Sequence, residues 1–136
     1  AGFASQPTST FRGDGLLLTD IYITAVCRCA PPDNKPSLEE IKHCLPYLRA
    51  EIKLLNRIEG IVALGRIAFD QIIKFYHFER KALPGLIFQH SARYVIGDGL
   101  PWLIASYHPS RQNTQTGRLT TGMFDRVWEE VHKSLS

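Results

Sequence analysis

The sequence has no apolar run close to the roughly 18 residues that a membrane span requires, since Thr24, Arg28 and Arg66 break its longest candidates. Ala1 to Thr10 has neither a basic start nor an apolar centre, so it is not expected to act as a secretory signal. Cysteines are few and odd in number, three at positions 27, 29 and 44. That excludes the paired framework of a small secreted domain and leaves reduced thiols or metal ligands. No P-loop, dinucleotide fingerprint, nucleophile elbow or HExxH motif is present, which sets aside the enzyme classes built on them. Acidic pairs at a spacing suited to two-carboxylate catalysis are also missing. Asp14, Asp20, Asp33 and Asp98 stand alone in loop-like sequence and read as turn formers. The chain has no internal repeat and no low-complexity segment. Charge is nearly balanced at +3, compatible with a polyanionic partner and equally with an ordinary enzyme.

What is there suits one domain, residues 1–136: 136 residues, 44% apolar and 21% charged, enough for a single core. Residues 1–15 are loop-like. Ile21 to Cys27 is β-branched and apolar and is expected to form a buried strand. Ala30 to Pro36 carries three prolines and cannot be regular structure. Ser37-Leu38-Glu39-Glu40 is a capping box that opens a helix. Ile41, Leu45, Leu48, Ile52 and Leu55 give that helix its buried face, and Pro46 is expected to kink or divide it. Gly60 to Gly65 reads as a second strand ending in a glycine turn. A helix over Arg66 to Tyr76 follows, with Ile67, Ile72 and Phe75 inward. Residues 86–96 hold one or two short strands, Leu103 to Tyr107 another, residues 109–120 a polar loop, and Thr121 to Leu135 a last helix with Met123, Val127, Val131 and Leu135 on one side. Alternating strands and helices imply an α/β fold, a three-layer α/β/α sandwich around a short, mostly parallel sheet. Ligands of such sheets bind beyond the carboxyl ends of the strands. Two segments leave strands there for polar loops, Cys27 to Pro36 and Tyr107 to Thr116.

Three features carry chemistry. Cys29 and Cys44 flank a stiff proline loop, an arrangement suited to zinc or an iron–sulfur cluster and equally found as plain buried thiols. His108, at a strand end and followed by Pro109, is held in a fixed direction from which a ring can donate to charge on a leaving group; a structural histidine has the same setting. Residues 114–120, with small hydroxyls, a glycine and Arg118, suit a phosphate backbone or a solvated connector. His43, His77, His90 and His132 have no comparable setting in the sequence.

Taken together, AGFASQPTS, DGLLLTDIYITAVCRCAPPDNKPS, EEIKHCLPYLRAEIKLL, IVALGRIAFD and SYHPSRQNTQTGRLT resemble the uracil-DNA glycosylase superfamily, in its type B, iron–sulfur branch, often called family five. The similarity runs along almost the whole chain. It implies an enzyme of base excision repair that flips a deaminated base out of DNA and hydrolyses its N-glycosidic bond. By this resemblance His108 hydrogen-bonds the base as negative charge builds, and Asn113 fixes the base or the loop. Arg111 and Gln112 reach toward the gap in the stack, while Ser110, Thr116 and Arg118 contact phosphate. No lysine matches a Schiff-base nucleophile, so an abasic site remains. Cys29 and Cys44 match two of the four ligands of a structural 4Fe-4S cluster; Cys27 matches none and is expected to be a buried thiol in a strand. The resemblance further implies a bacterial or archaeal cytoplasmic protein, near the nucleoid, acting as a monomer.

The chain departs from the pattern in two places. The family's first strand and motif, which hold the attacking water and a stacking aromatic ring, have no match here, and neither does the first cysteine pair. The sheet is expected to lack its first strand, and this chain alone to bind DNA weakly and excise poorly. Ala25 stands where many relatives carry an asparagine that reads the edge of uracil. Without that hydrogen-bonding group discrimination falls, which implies a wider range of bases, hypoxanthine among them. A catalytically silent DNA-binding relative and a non-functional truncated product are the alternatives that share these residues.

Overall fold

A computed structural model describes residues 1–29, 33, 35–79 and 85–136, positions 78 and 79 by backbone only. Ala30, Pro31, Pro32 and Asn34 of the proline loop lie outside the described residues. The first helix, α1 (Leu38–Leu54), starts where the capping box puts it: the Ser37 hydroxyl accepts from the Glu40 amide at 3.2 Å, and the Glu40 carboxylate accepts from the Ser37 amide at 2.7 Å. It then runs unbroken through Pro46. The proline forgoes one backbone bond without dividing the helix. Ile41, Cys44 and Leu48 are buried along it; Leu55, expected inward, is the C-cap and is exposed.

Strand β1 (Gly60–Leu64) leads through Gly65 into α2 (Arg66–Glu79). Short strand β2 (Arg93–Val95) precedes β3 (Trp102–Ser106), and α3 (Arg111–Gln115) and α4 (Thr121–Leu135) complete the chain. The sheet order is β1-β3-β2. β1 and β3 are parallel, with Leu64 opposite Ser106. β2 runs antiparallel to β3, so the sheet is mixed rather than mostly parallel. The cause is the short link over residues 96–101, which can join only antiparallel neighbours.

The sheet is covered on both faces. One core joins Ala63, Leu103 and Ala105 of the sheet to Phe69, Ile72, Phe75 and Tyr76 of α2. The other joins Ile104 to Val127 and Val131 of α4, with Phe3 and Trp128 against it. Alternation along β3 produces this: Leu103 and Ala105 face one layer, Ile104 the other. Ile67 was expected inward and is 42% exposed, because it starts α2 beside the sheet's end, ahead of Phe69 and Ile72.

Ile21 to Cys27 is not a strand among the described residues. Tyr22 is 55% and Ile23 68% exposed. Strand propensity is a fit to neighbours rather than a backbone property, and this segment is held by α1 instead. Glu51 accepts from the Tyr22 hydroxyl at 3.0 Å and from the Thr24 hydroxyl, and pairs with Arg28. These three contacts, led by Thr24, keep the Glu51 carboxyl below its ordinary pKa. No helix among the described residues is long and apolar enough to cross a membrane.

Candidate active site and thiol cluster

Parallel pairing of β1 and β3 brings their carboxyl ends side by side, and the Gly65 amide continues the pairing by donating to the Ser106 carbonyl at 2.7 Å. His108 follows two positions after β3. It sits directly over Gly65, whose φ is +96° and where an added Cβ would stand 3.1 Å from the His108 Cβ. Only glycine adopts this conformation readily and leaves that space.

The His108 backbone is fixed from the chain that follows. Its carbonyl accepts from the Ser110 amide at 2.7 Å and from Asn113 Nδ2 at 2.9 Å. Ser110 caps α3, its hydroxyl accepting from the Asn113 amide at 3.2 Å. The Asn113 carbonyl in turn accepts from the Leu119 amide at 3.0 Å, and Leu119 is buried. The polar loop expected over residues 109–120 contains a short helix, which Ser110 opens as N-cap. The His108 side chain is exposed, as are Arg111, Gln112, Thr116 and Arg118. The Thr116 hydroxyl donates to the Gln112 carbonyl at 2.7 Å, and the Arg118 guanidinium lies 4.9 Å from the centre of the Tyr107 ring. A shallow depression beside the loop is lined by Pro109, Thr114, Leu119, Thr120, Thr121 and Phe124.

The thiols form a second constellation. The Cys27, Cys29 and Cys44 sulfurs lie within 4.8 Å of one another, with Cys29 Sγ and Cys44 Sγ 3.9 Å apart. The Arg28 amide points at Cys44 Sγ from 3.5 Å. That donor favours the thiolate and pulls the Cys44 pKa down. The hydrogen bond and like charge of Cys44 push the Cys29 pKa up. Soft sulfur donors with one thiolate already favoured are the chemistry of zinc and iron–sulfur sites. Cys27 is half-buried, outside any strand and inside this cluster. The expectation of a buried strand thiol fails with the strand itself.

A model of the uracil DNA glycosylase superfamily matches residues 1–132. The chain belongs to that superfamily. It is 45% identical over 133 residues to a type-5 uracil-DNA glycosylase of Thermus thermophilus, covering 98% of this chain and 58% of that protein. A type-5 uracil-DNA glycosylase of Mycobacterium bovis is 40% identical over 134 residues, 98% of this chain and 49% of its own length. A type-4 uracil-DNA glycosylase of Thermotoga maritima is 33% identical over 109 residues, 76% of this chain and 50% of that protein. The chain therefore spans about half the length of the curated relatives it matches.

Within this superfamily chain, the structure brings His108, Ser110, Asn113 and the exposed Arg111 and Gln112 into one connected loop, and Arg118 reaches it through Tyr107. Ala25 is exposed in the segment pinned to α1, and no described hydrogen bond or ring contact joins it to that loop. Three residues were not singled out from sequence. Gly65 had only a turn signal. Glu51 looked like one of many helix-surface acids. His90 meets Tyr107 at a separation of 17 positions, which no local pattern reports.

Proposed function

We propose that this chain forms part of a monofunctional DNA glycosylase of base excision repair, one that hydrolyses the N-glycosidic bond of uracil and other deaminated bases in DNA. The observation that carries the reading is His108, exposed at the joined carboxyl ends of β1 and β3 with its carbonyl held by Ser110 and Asn113. A donor placed there before reaction stabilises charge on a departing base without having to reorganise. The type-5 names of its relatives agree with that chemistry.

In this mechanism the nucleotide swings out of the stack and the base meets the His108 ring. As the bond to the sugar lengthens, negative charge grows on the base and the ring donates to it. Asn113 acts on the loop, through the His108 carbonyl. Arg111 and Gln112, exposed at the start of α3, face the DNA and fill the gap. Ser110 accepts from Asn113, which leaves its own hydroxyl proton for a phosphate oxygen. Arg118 adds charge, and Thr116 reaches phosphate only by releasing its bond to Gln112. Ala25 offers a base no side-chain hydrogen bond, so selection between uracil and hypoxanthine is weak.

Cys29 and Cys44 would hold a 4Fe-4S cluster. The donors present fit half of such a site: two close sulfurs, one favoured as thiolate by a backbone amide, of the four thiolates the cluster takes. When bound, the group would supply a structural cross-link between the segment of Cys29 and α1. The protein works in the cytoplasm, on nucleoid DNA, as a monomer.

The test is release of uracil from an end-labelled oligonucleotide, with alkali to cut the abasic product, beside His108→Ala. Loss of one such donor costs about 3–4 kcal/mol, on the order of a hundredfold or more in rate. Equal cleavage by both proteins removes His108 from the chemistry. A folded chain that binds uracil-containing DNA and releases neither uracil nor hypoxanthine makes this a binding protein.

A further inference from the structure

His90 lies outside the motif and reaches it across the sheet's end. Its Nδ1 accepts the Tyr107 amide at 3.0 Å, and Tyr107 is the residue between β3 and His108. The two rings stack, with centroids 4.7 Å apart and planes 10° from parallel. A ring nitrogen that accepts carries no proton, so the neutral ring bears its proton on Nε2. The neighbouring Ser91 amide donates to the Ala105 carbonyl at 2.7 Å, which fixes His90 against β3. One imidazole therefore holds the exit of β3, and it can accept the Tyr107 amide only while Nδ1 carries no proton.

We propose that His90 is a positioning residue, a neutral clamp on the strand end that sets where His108 stands. The proposal rests on the reading of His108 as the reacting donor. The clamp is sensitive to acid. A proton on Nδ1 would set two N–H donors against each other at the Tyr107 amide, and the bond would be lost. Burial and then the Arg126 cation of α4 hold the His90 pKa below its ordinary 6.5, against the opposing pull of the Met123 carbonyl. Arg118 and the Tyr107 phenol also lie at this stack among the described residues. The fold prefers the neutral ring. The clamp is complete above about pH 6.5 and is lost as pH falls from there through the lower folded value.

The test uses two variants of the full chain. His90→Asn places a carbonyl oxygen where Nδ1 stands and does not titrate near neutrality. His90→Phe keeps the ring stack and removes the acceptor. Nitrogen-15 NMR of the wild-type ring reports tautomer and titration, while the Tyr107 and His108 amide shifts report the loop between about pH 7.5 and 4.5. The expected result is an Nε2–H ring, with both amides moving at the His90 midpoint. His90→Asn flattens that movement and keeps base release within about twofold at neutral pH without the His90 acid limb. His90→Phe slows release about tenfold, the scale of a misplaced reacting group. An Nδ1–H ring, or loop amides indifferent to the His90 midpoint, overturns the clamp. The amides do not depend on turnover. If they follow His90 in a chain that releases no base, the clamp stands and the glycosylase reading falls. Base release with indifferent amides has the reverse meaning. If His90→Phe does not fold, the wild-type titration set against His90→Asn decides.

Discussion

Replacing Gly65 by alanine perturbs the site through His108 without changing any of the side chains proposed to act there. Two costs follow from its geometry. The backbone stands at φ +96°, and a left-handed conformation costs an L-residue about 1–2 kcal/mol. The new Cβ would also lie 3.1 Å from the His108 Cβ, closer than ordinary contact, so His108 must give way by a few tenths of an ångström. Gly13 separates the two costs: its φ is +89°, and an added Cβ there meets nothing within 4 Å. Gly13→Ala is expected to lose only the backbone share. For a chain of this size about 1–2 kcal/mol lowers Tm by roughly 3–8 °C. Both variants are expected in that range, with Gly65→Ala the lower. A displacement of about 1 Å can cost on the order of a hundredfold in rate, so a smaller one at His108 is expected to slow base release about tenfold. Gly13→Ala is expected to keep the wild-type rate. Thermal melts and single-turnover release on the same preparations measure both. A Gly65→Ala protein with wild-type Tm and wild-type rate would refute the reasoning, and a slow Gly13→Ala protein would refute the separation.

Core and thiol cluster give further tests. Leu103 of β3 is fully buried in the core shared with α2, so Leu103→Ala is expected to cost about 2–5 kcal/mol by denaturant unfolding; Ile67→Ala, at 42% exposure, should stay within about 0.5 kcal/mol. The reverse order would show the layer assignment to be wrong. After anaerobic reconstitution with iron and sulfide, Cys44→Ser is expected to lose bound iron and visible absorbance, while Cys27→Ser retains them. Iron that survives Cys44→Ser would remove that thiol from the ligand set.

The parts legible in the sequence were those decided locally. Thr121 to Leu135 shows its whole helix, because a cap and a one-sided apolar stripe lie within a few turns. Ser37 and Glu40 announce α1 for the same reason. The β1–Gly65–α2 unit was readable from an apolar run and a glycine. The larger failures trace to partners or connections that no local pattern reports. Ile21 to Cys27 has the composition of a strand, yet its hydroxyls and Arg28 are taken by Glu51 on α1. The direction of β2 depended on the short return over 96–101, and His90 on a contact made only when β3 is in place. At the candidate site, the residue types of 108–118 pointed to chemistry at once. Which of them serve the loop and which face outward needed the bonds of Asn113, Ser110 and Thr116.

Asn113 is tied in two directions, by its side chain to the His108 carbonyl and by its own carbonyl to the Leu119 amide. The stretch between β3 and α4 thus loses its freedom when the chain folds rather than when it meets a ligand. Ordering a mobile loop subtracts from affinity, and a loop already ordered subtracts little. On the proposed function, the backbone around His108 would meet DNA already set, and most of the search for the right geometry would fall to the nucleotide.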